Sequence, residues 1–212
     1  MRLFVFLLVA TLALSAEAPT EQDGHLRVEA EAFDRQTHDA VRRWVRISSS
    51  AASTPKPDSD ESHSATASGG AYLEALPDTR ATHDDKLIPG ENFTNEPGDM
   101  AIVEYDIEIP HPGKYFVWVR AYSTGPEDNG IHVGLDGDWP ESGQRMQWCE
   151  GKNAWTWASK QRTEEVHCGV PGLIYLDIKS PGRHTVMFSM REDGFEMDSW
   201  ELARDPDYRP SQ

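Results

Sequence analysis

The segment Val103–Glu104–Tyr105–Asp106–Ile107–Glu108–Ile109 alternates apolar and acidic residues along its length. A helix would return its apolar residues every three or four positions, so a strict period of two predicts a strand with one buried and one wet face. The same pattern recurs in both directions. Upstream, Val28–Glu29–Ala30–Glu31–Ala32–Phe33 alternates in the same way. Downstream, the turn His111–Pro112–Gly113 leads into an aromatic, β-rich run from Tyr115 to Tyr122. Ile131, Val133 and Leu135 then alternate ahead of Asp136–Gly137, a hairpin signal. Ile174, Leu176 and Ile178 precede Pro181–Gly182, and Val186, Phe188 and Met190 lead through Asp193–Gly194 into Phe195 to Leu202. No window supports a long amphipathic helix. Many short strands with such punctuation predict an all-β fold, an antiparallel sandwich or barrel.

At roughly 150 residues per domain, a chain of 212 residues is one domain with long loops. With 36 acidic and 20 basic residues the formal net charge is −16. That charge excludes a nucleic-acid binder, which needs a basic face, and disfavours anionic membranes. It also disfavours simple attraction to a polyanion unless a local basic patch exists. The expected partner is therefore neutral, weakly charged, cationic or metal-bridged.

Residues 1–18 read as a secretory signal: Arg2, an apolar run from Leu3 to Leu14, then small residues. The run is shorter than the ~20 residues that span a bilayer, so no membrane insertion is expected. Its removal takes away Arg2 and Glu17, one charge of each sign, so the −16 belongs to the exported protein. Residues 19–25 read as a linker, 26–204 as the domain and 205–212 as a tail. Within the domain, 48–68 is rich in Ser, Ala, Pro and Asp and is expected to be a flexible excursion. Asn92–Phe93–Thr94 is a glycosylation sequon whose use depends on the host. In an oxidising compartment Cys149 and Cys168 are expected to form a disulfide.

The order of elements carries a resemblance. The first strand, Val28 to Phe33, is followed by Ser68–Gly69–Gly70–Ala71–Tyr72–Leu73, then by a long strand ending at Pro110. Gly113–Lys114–Tyr115–Phe116–Val117–Trp118–Val119–Arg120 comes next, then Gly134–Leu135–Asp136–Gly137 and Gly182–Arg183–His184–Thr185–Val186. The set ends with Asp193–Gly194–Phe195–Glu196–Met197–Asp198–Ser199–Trp200–Glu201–Leu202. Over residues 26–204 this resembles the galactose-binding-like carbohydrate-binding modules of families six and thirty-five, and the C-terminal module of some α-glucuronidases. The resemblance implies an antiparallel β-sandwich of the jelly-roll, galactose-binding-domain-like type. The inserts at 48–68, 76–100 and 138–172 depart from it in length.

In those families two Glu of the first strand and one Asp of the last hold a structural calcium, which implies Glu29, Glu31 and Asp198 here. Calcium wants several hard oxygen ligands, and two glutamates two positions apart on a strand share one face. An exposed acidic edge is the alternative reading. For the sugar, Gly137 to Ala158 holds Trp139, Trp148, Trp155 and Trp157, four of the seven tryptophans, in loop-like sequence. Indole faces stack on pyranose C–H surfaces, so Trp155, Trp139 and Trp148 are candidate platforms, with Trp155 nearer the loop tip than Trp157. Asn129, Asp193 and Glu192 are candidate polar partners, although Asp193–Gly194 also reads as a tight turn.

These features predict a secreted, monomeric module that binds a polysaccharide or oligosaccharide without catalysis. The alternatives are a polysaccharide-active hydrolase or lyase using the same loops, or an extracellular adhesion or matrix protein. The acid pairs Glu104/Asp106 and Glu127/Asp128 are explained by strand alternation and turn context, and the eight histidines are scattered without ligand spacing.

Overall fold

The computed structural model describes residues 17–37, 39–50, 57–58 and 60–211. The signal reading for 1–16 and part of the 48–68 excursion lie outside them. The strands are β1 (His25–Glu29), β2 (Arg35–Gln36), β3 (Arg43–Ser48), β4 (Ala71–Leu76), β5 (Ile102–Ile109), β6 (Gly113–Tyr122) and β7 (Gly130–Leu135). They continue as β8 (Met146–Gln147), β9 (Thr156–Ala158), β10 (Lys160–Gln161), β11 (Val170–Pro171), β12 (Tyr175–Ile178), β13 (Gly182–Met190) and β14 (Glu196–Ala203). Among the described residues there is no α-helix, and no helix long and apolar enough to cross a membrane.

Two seven-stranded sheets form. One runs β11-β10-β8-β7-β13-β5-β2; the other runs β12-β6-β14-β4-β3, with β1 also on β14 and β9 on β6. Every pairing between named strands is antiparallel. The alternation in β5 works as read: Val103, Tyr105, Ile107 and Ile109 are buried, while Glu104 and Glu108 are not. The sheets meet through aromatic edges. Tyr105 and Phe188 of one sheet sit against Trp200 of the other, with ring centroids 5.1 and 5.6 Å from the indole. The antiparallel sandwich expected from the alternation is the fold observed.

Two local readings change. The expected strand Val28–Phe33 ends at Glu29, and Ala30–Ala32 form a 3-10 turn. The Tyr105 hydroxyl donates to the Ala30 carbonyl at 2.6 Å, so that carbonyl serves the core and not a ladder. The segment before β4 is also more structured than its composition suggests. The Trp155 indole donates to Thr66 Oγ1, and the Ser68 amide donates to Asp198. The Cys149–Cys168 disulfide is present, with Cα atoms 5.4 Å apart. The tail packs on the surface, where the Tyr208 hydroxyl donates to Glu201 at 2.6 Å.

One buried network ties the edge of the first sheet together. Arg35 on β2 grips Asp106 on β5 through both terminal nitrogens, at 2.7 and 2.8 Å. Thr185 and Arg183 on β13 add bonds of 2.8 and 2.9 Å to the same carboxylate. The Arg35 bonds hold the Asp106 carboxyl well below its usual range, against the opposing effect of burial. A depressed carboxyl pKa contributes stability above the unfolded-state value, near ~3.9, and loses it as pH falls through the folded value. Asp106→Asn should therefore lower stability by about 1–2 kcal/mol at neutral pH, a figure moderated by the half-exposed Arg35. In urea melts the gap between the two proteins should close steadily below about pH 4; a gap constant with pH would count against the network.

Candidate functional site

The last strand carries a β-bulge. Met197 pairs with Ala121 and Ser199 with Arg120, leaving Asp198 as the extra residue. The bulge resolves a parity problem, because Met197 and Trp200 both enter the core although they are three positions apart. Asp198 is thereby turned to the outer face, where Arg120 and the Ser68 amide donate to its two oxygens at 2.6 Å each. Ser68 also donates from its hydroxyl to Glu29 Oε1 at 3.0 Å. The 3-10 turn places Glu31 beside this group, so the two glutamates meet Asp198 through a turn and not through one strand face. Glu29 Oε2 and Glu31 Oε2 are buried and have no hydrogen-bond partner. Burial, and then repulsion from Glu29 and Asp198, raises the Glu31 pKa. Two orphaned carboxylate oxygens in one acidic corner are hard donors of the kind a cation takes, although among the described residues Glu29, Glu31 and Asp198 do not bring three ligand atoms within 4.8 Å of one another.

A second acidic group lies at the start of the same strand. Asp60, His63 and Glu196, and likewise Asp58, Asp60 and Glu74, bring one ligand atom each within 4.8 Å of one another. His63 Nδ1 lies 2.7 Å from Glu196, and its ring stacks on Tyr122 with centroids 3.6 Å apart.

Of the expected sugar-binding residues most are closed off. Trp148 is 2% exposed, set edge-on against Phe195. Trp155 is 6% exposed, held between Tyr72 and Tyr122 with centroids 5.3 and 5.4 Å away. Neither presents an open face. The 60–68 segment and β4 cover Trp155, while Trp157, on the same sheet face, is half-buried. The expected order of exposure along this pair is thus reversed. Trp139 is half-buried too, with its indole laid so closely on Gly98 and Gly134 that a side chain at either would collide with it. Asp193 is fully buried and accepts from Arg42 and from both the amide and hydroxyl of Thr79. It braces the turn, as its turn reading implies. Asn129 is buried, donating its amide N–H to Glu192 Oε2 at 3.0 Å and accepting from Gln147.

Of these residues, Glu192 lines an open basin of about 460 Å³ at the loop end. What dominates the basin is arginine: Arg80, Arg145, Arg162 and Arg191, with Phe93 and Leu87 as its apolar wall. Arg191 is 2% exposed, lies over the Phe93 ring at 4.9 Å and pairs with Glu192. Gly130 makes room for it, since a Cβ there would stand 3.0 Å from Arg191 Nη1. Arg80 and His83 both pair with Glu127. Arg145 and Arg162 flank the β8–β10 ladder. The Arg162 amide donates to the Arg145 carbonyl at 2.8 Å, so the two residues are backbone neighbours, and both side chains line the basin. Among the described residues neither forms an ion pair. Below them His132 is fully buried; burial, with the Arg191 and Arg145 charges, pushes it down to about 3. Sequence reasoning missed this constellation because its members come from four separate loops and share no spacing.

A groove of about 490 Å³ also runs along the outer face of β6, lined by Phe116, Trp118 and Trp157. The tail crosses it, with the Arg209 guanidinium 5.4 Å from the Trp118 ring.

No family model matches the chain. It is 55% identical over 190 residues to the uncharacterized protein P23 of Formosa agariphila, across 90% of this chain and 46% of that protein. The chain thus spans about half the length of the curated relative it matches. Among solved structures it is similar to a family 35 carbohydrate-binding module from Clostridium thermocellum, at 15% identity, 84% and 97% coverage of the two chains and a TM-score of 0.43. It is similar as well to a family 35 module from Paenibacillus barcinonensis, at 13% identity, 84% and 98% coverage and a TM-score of 0.47. A C-terminal family 6 module of a marine laminarinase from Zobellia galactanivorans is a further likeness, at 13% identity, 85% and 99% coverage and a TM-score of 0.44.

Proposed function

We propose that this chain is an exported, non-catalytic carbohydrate-binding module that seats a sugar in the loop-end basin and carries a structural calcium at Glu29, Glu31 and Asp198. The observation that carries the sugar assignment is the basin itself. It is open, large enough for a sugar ring or two, and walled by planar guanidiniums beside the half-buried ring of Phe93. Guanidinium forks donate to pairs of oxygens and an aromatic face takes C–H surface, the two contacts that a pyranose needs. Phe93 takes the stacking part expected of the loop tryptophans. The basin's buried carboxylates, Glu127 and Glu192, are each committed to an arginine, which favours binding over hydrolysis. The disulfide supports export, since such bonds persist in oxidising compartments.

Affinity electrophoresis against a panel of plant and algal polysaccharides should show retardation by at least one glycan, without release of reducing ends or unsaturated products. A protein retarded by none would sink the carbohydrate reading, and product release would replace it with an enzyme.

The orphaned oxygens of Glu29 and Glu31 carry the calcium assignment. A cation at a hundredfold excess over its Kd adds about 2.7 kcal/mol, or roughly 5–10 °C in the melting midpoint of a domain this size. Calcium should raise the midpoint by that amount over a chelated sample. Glu31→Gln should abolish the difference and Asp60→Asn should preserve it. An unchanged wild-type midpoint, or a difference lost only in Asp60→Asn, would move or remove the ion.

A further inference from the structure

We infer that the loop-end basin is a seat for a negatively charged sugar substituent, a sulfate ester or a uronate carboxylate, received between Arg145 and Arg162. The inference rests on the carbohydrate-binding reading and names the chemical class of its ligand. It also reverses the expectation of a neutral or weakly charged glycan, because the local basic patch on which that expectation was conditional is present.

Four guanidiniums converge on one basin in a chain of net charge −16. Two of them are answered from within the protein: Arg80 by Glu127, and Arg191 by Glu192. Arg145 and Arg162 are not answered among the described residues. They are joined by a backbone hydrogen bond and line the same basin, so two like charges share one site. Glu164, two positions from Arg162, also lines the basin but is exposed and forms no ion pair among the described residues.

Three further observations show that the cationic side of the basin is built in. Arg145 is held at a φ of +52°, a backbone region that side chains other than glycine seldom adopt. Its amide donates to Nδ1 of the buried His132 at 3.0 Å, which fixes that strained residue over a neutral ring. The Nε atoms of Arg80, Arg145 and Arg191 are buried without a hydrogen-bond partner, so these side chains are packed into the wall of the basin and not extended into solvent. The disulfide joins Cys168, next to the basin residue His167, to Cys149 just beyond β8, so both arginine-bearing segments are tied covalently. An oxyanion at the basin would answer the unpaired charges of Arg145 and Arg162, since guanidinium forks match planar carboxylates and tetrahedral sulfates. The protein's overall negative charge does not forbid this, because exposed charges beyond about 8 Å are screened at physiological salt.

The test compares a sulfated polysaccharide, a uronate-rich polysaccharide and a neutral one, by affinity electrophoresis and titration calorimetry on the wild type, Arg162→Gln and Lys179→Gln. Lys179 is exposed and lies outside the basin. One or both anionic polymers should bind, the two arms showing which anion is taken, and the neutral one should bind at least tenfold more weakly. Arg162→Gln should lose about tenfold in affinity with its melting midpoint unchanged, whereas Lys179→Gln should keep wild-type affinity. Wild-type binding should weaken as salt rises from about 50 to 500 mM. Equal binding of the neutral polymer, or full affinity in Arg162→Gln, overturns the anionic assignment and leaves the carbohydrate reading standing. If no polysaccharide binds but inorganic sulfate or free glucuronate raises the wild-type midpoint and not that of Arg162→Gln, the anion seat stands and the carbohydrate reading falls. Absence of any response to polymers and small anions alike overturns both.

Discussion

Strand β14 buries all eight of its residues, and three of them are carboxylates turned away from the core. A carboxylate withdrawn from water costs several kcal/mol unless it is paired, so each must recruit something to its side. Glu196 recruits His63 from the segment before β4. Asp198 takes Arg120 from β6 and the Ser68 amide. Glu201 takes His25 and Arg27 from β1, and Tyr208 from the tail. The apolar side of the same strand, Met197, Trp200 and Leu202, anchors the core between the sheets. The outer face of this sheet is therefore organised by charges on its central strand, and His63 and Ser68 of the long 48–68 insert answer two of them.

That arrangement explains what could be read from sequence and what could not. Strand β5 is long, lies mid-sheet and keeps Glu104 and Glu108 on a wetter face, so its alternation was legible; β13 was legible through Val186, Phe188 and Met190, although Met187 and Ser189 on its other face are buried as well. Strand β14 was legible as a strand but not in its parity, because the bulge at Asp198 breaks the period of two that parity depends on. The two-residue strands β8, β10 and β11 are too short to show any period; tertiary pairing alone makes them strands. Trp155 and Trp157 do share a sheet face, as their spacing implies. Which of them is open depends on where the 60–68 segment folds back, and no local pattern contains that information. The acidic corner was named because the resemblance marked Glu29, Glu31 and Asp198. Spacing alone placed the two glutamates on one strand face, where a 3-10 turn in fact intervenes.

Net charge proved a poor guide to the local field. A total of −16 describes what a distant ion feels at low salt, while a bound ligand feels the few charges within a Debye length. Much of the acidity is spent internally, on the β14 carboxylates, on Asp106 within its arginine clamp and on Asp193 against Arg42. Arg145 and Arg162 form no ion pair among the described residues, and both line the loop-end basin.

Gathering them there opposes stability, which is why the surrounding construction matters. The positive φ of Arg145 and the buried, unpartnered Nε atoms each carry a cost, and such features persist only where the surrounding structure over-determines them. The compensation is visible in the same neighbourhood. Phe93 supports Arg191, Glu127 holds Arg80, and a disulfide closes a 19-residue separation between the segments that carry the unpaired arginines. Each guanidinium is supplied by an element already fixed by the sandwich, so little freedom is left for a ligand to remove, and the ordering cost that normally weakens recognition by long flexible side chains is largely met during folding. In the proposed anion seat the fixed placement of Arg145 and Arg162 would matter more than the number of arginines, because a donor already held in place has less freedom to lose on binding.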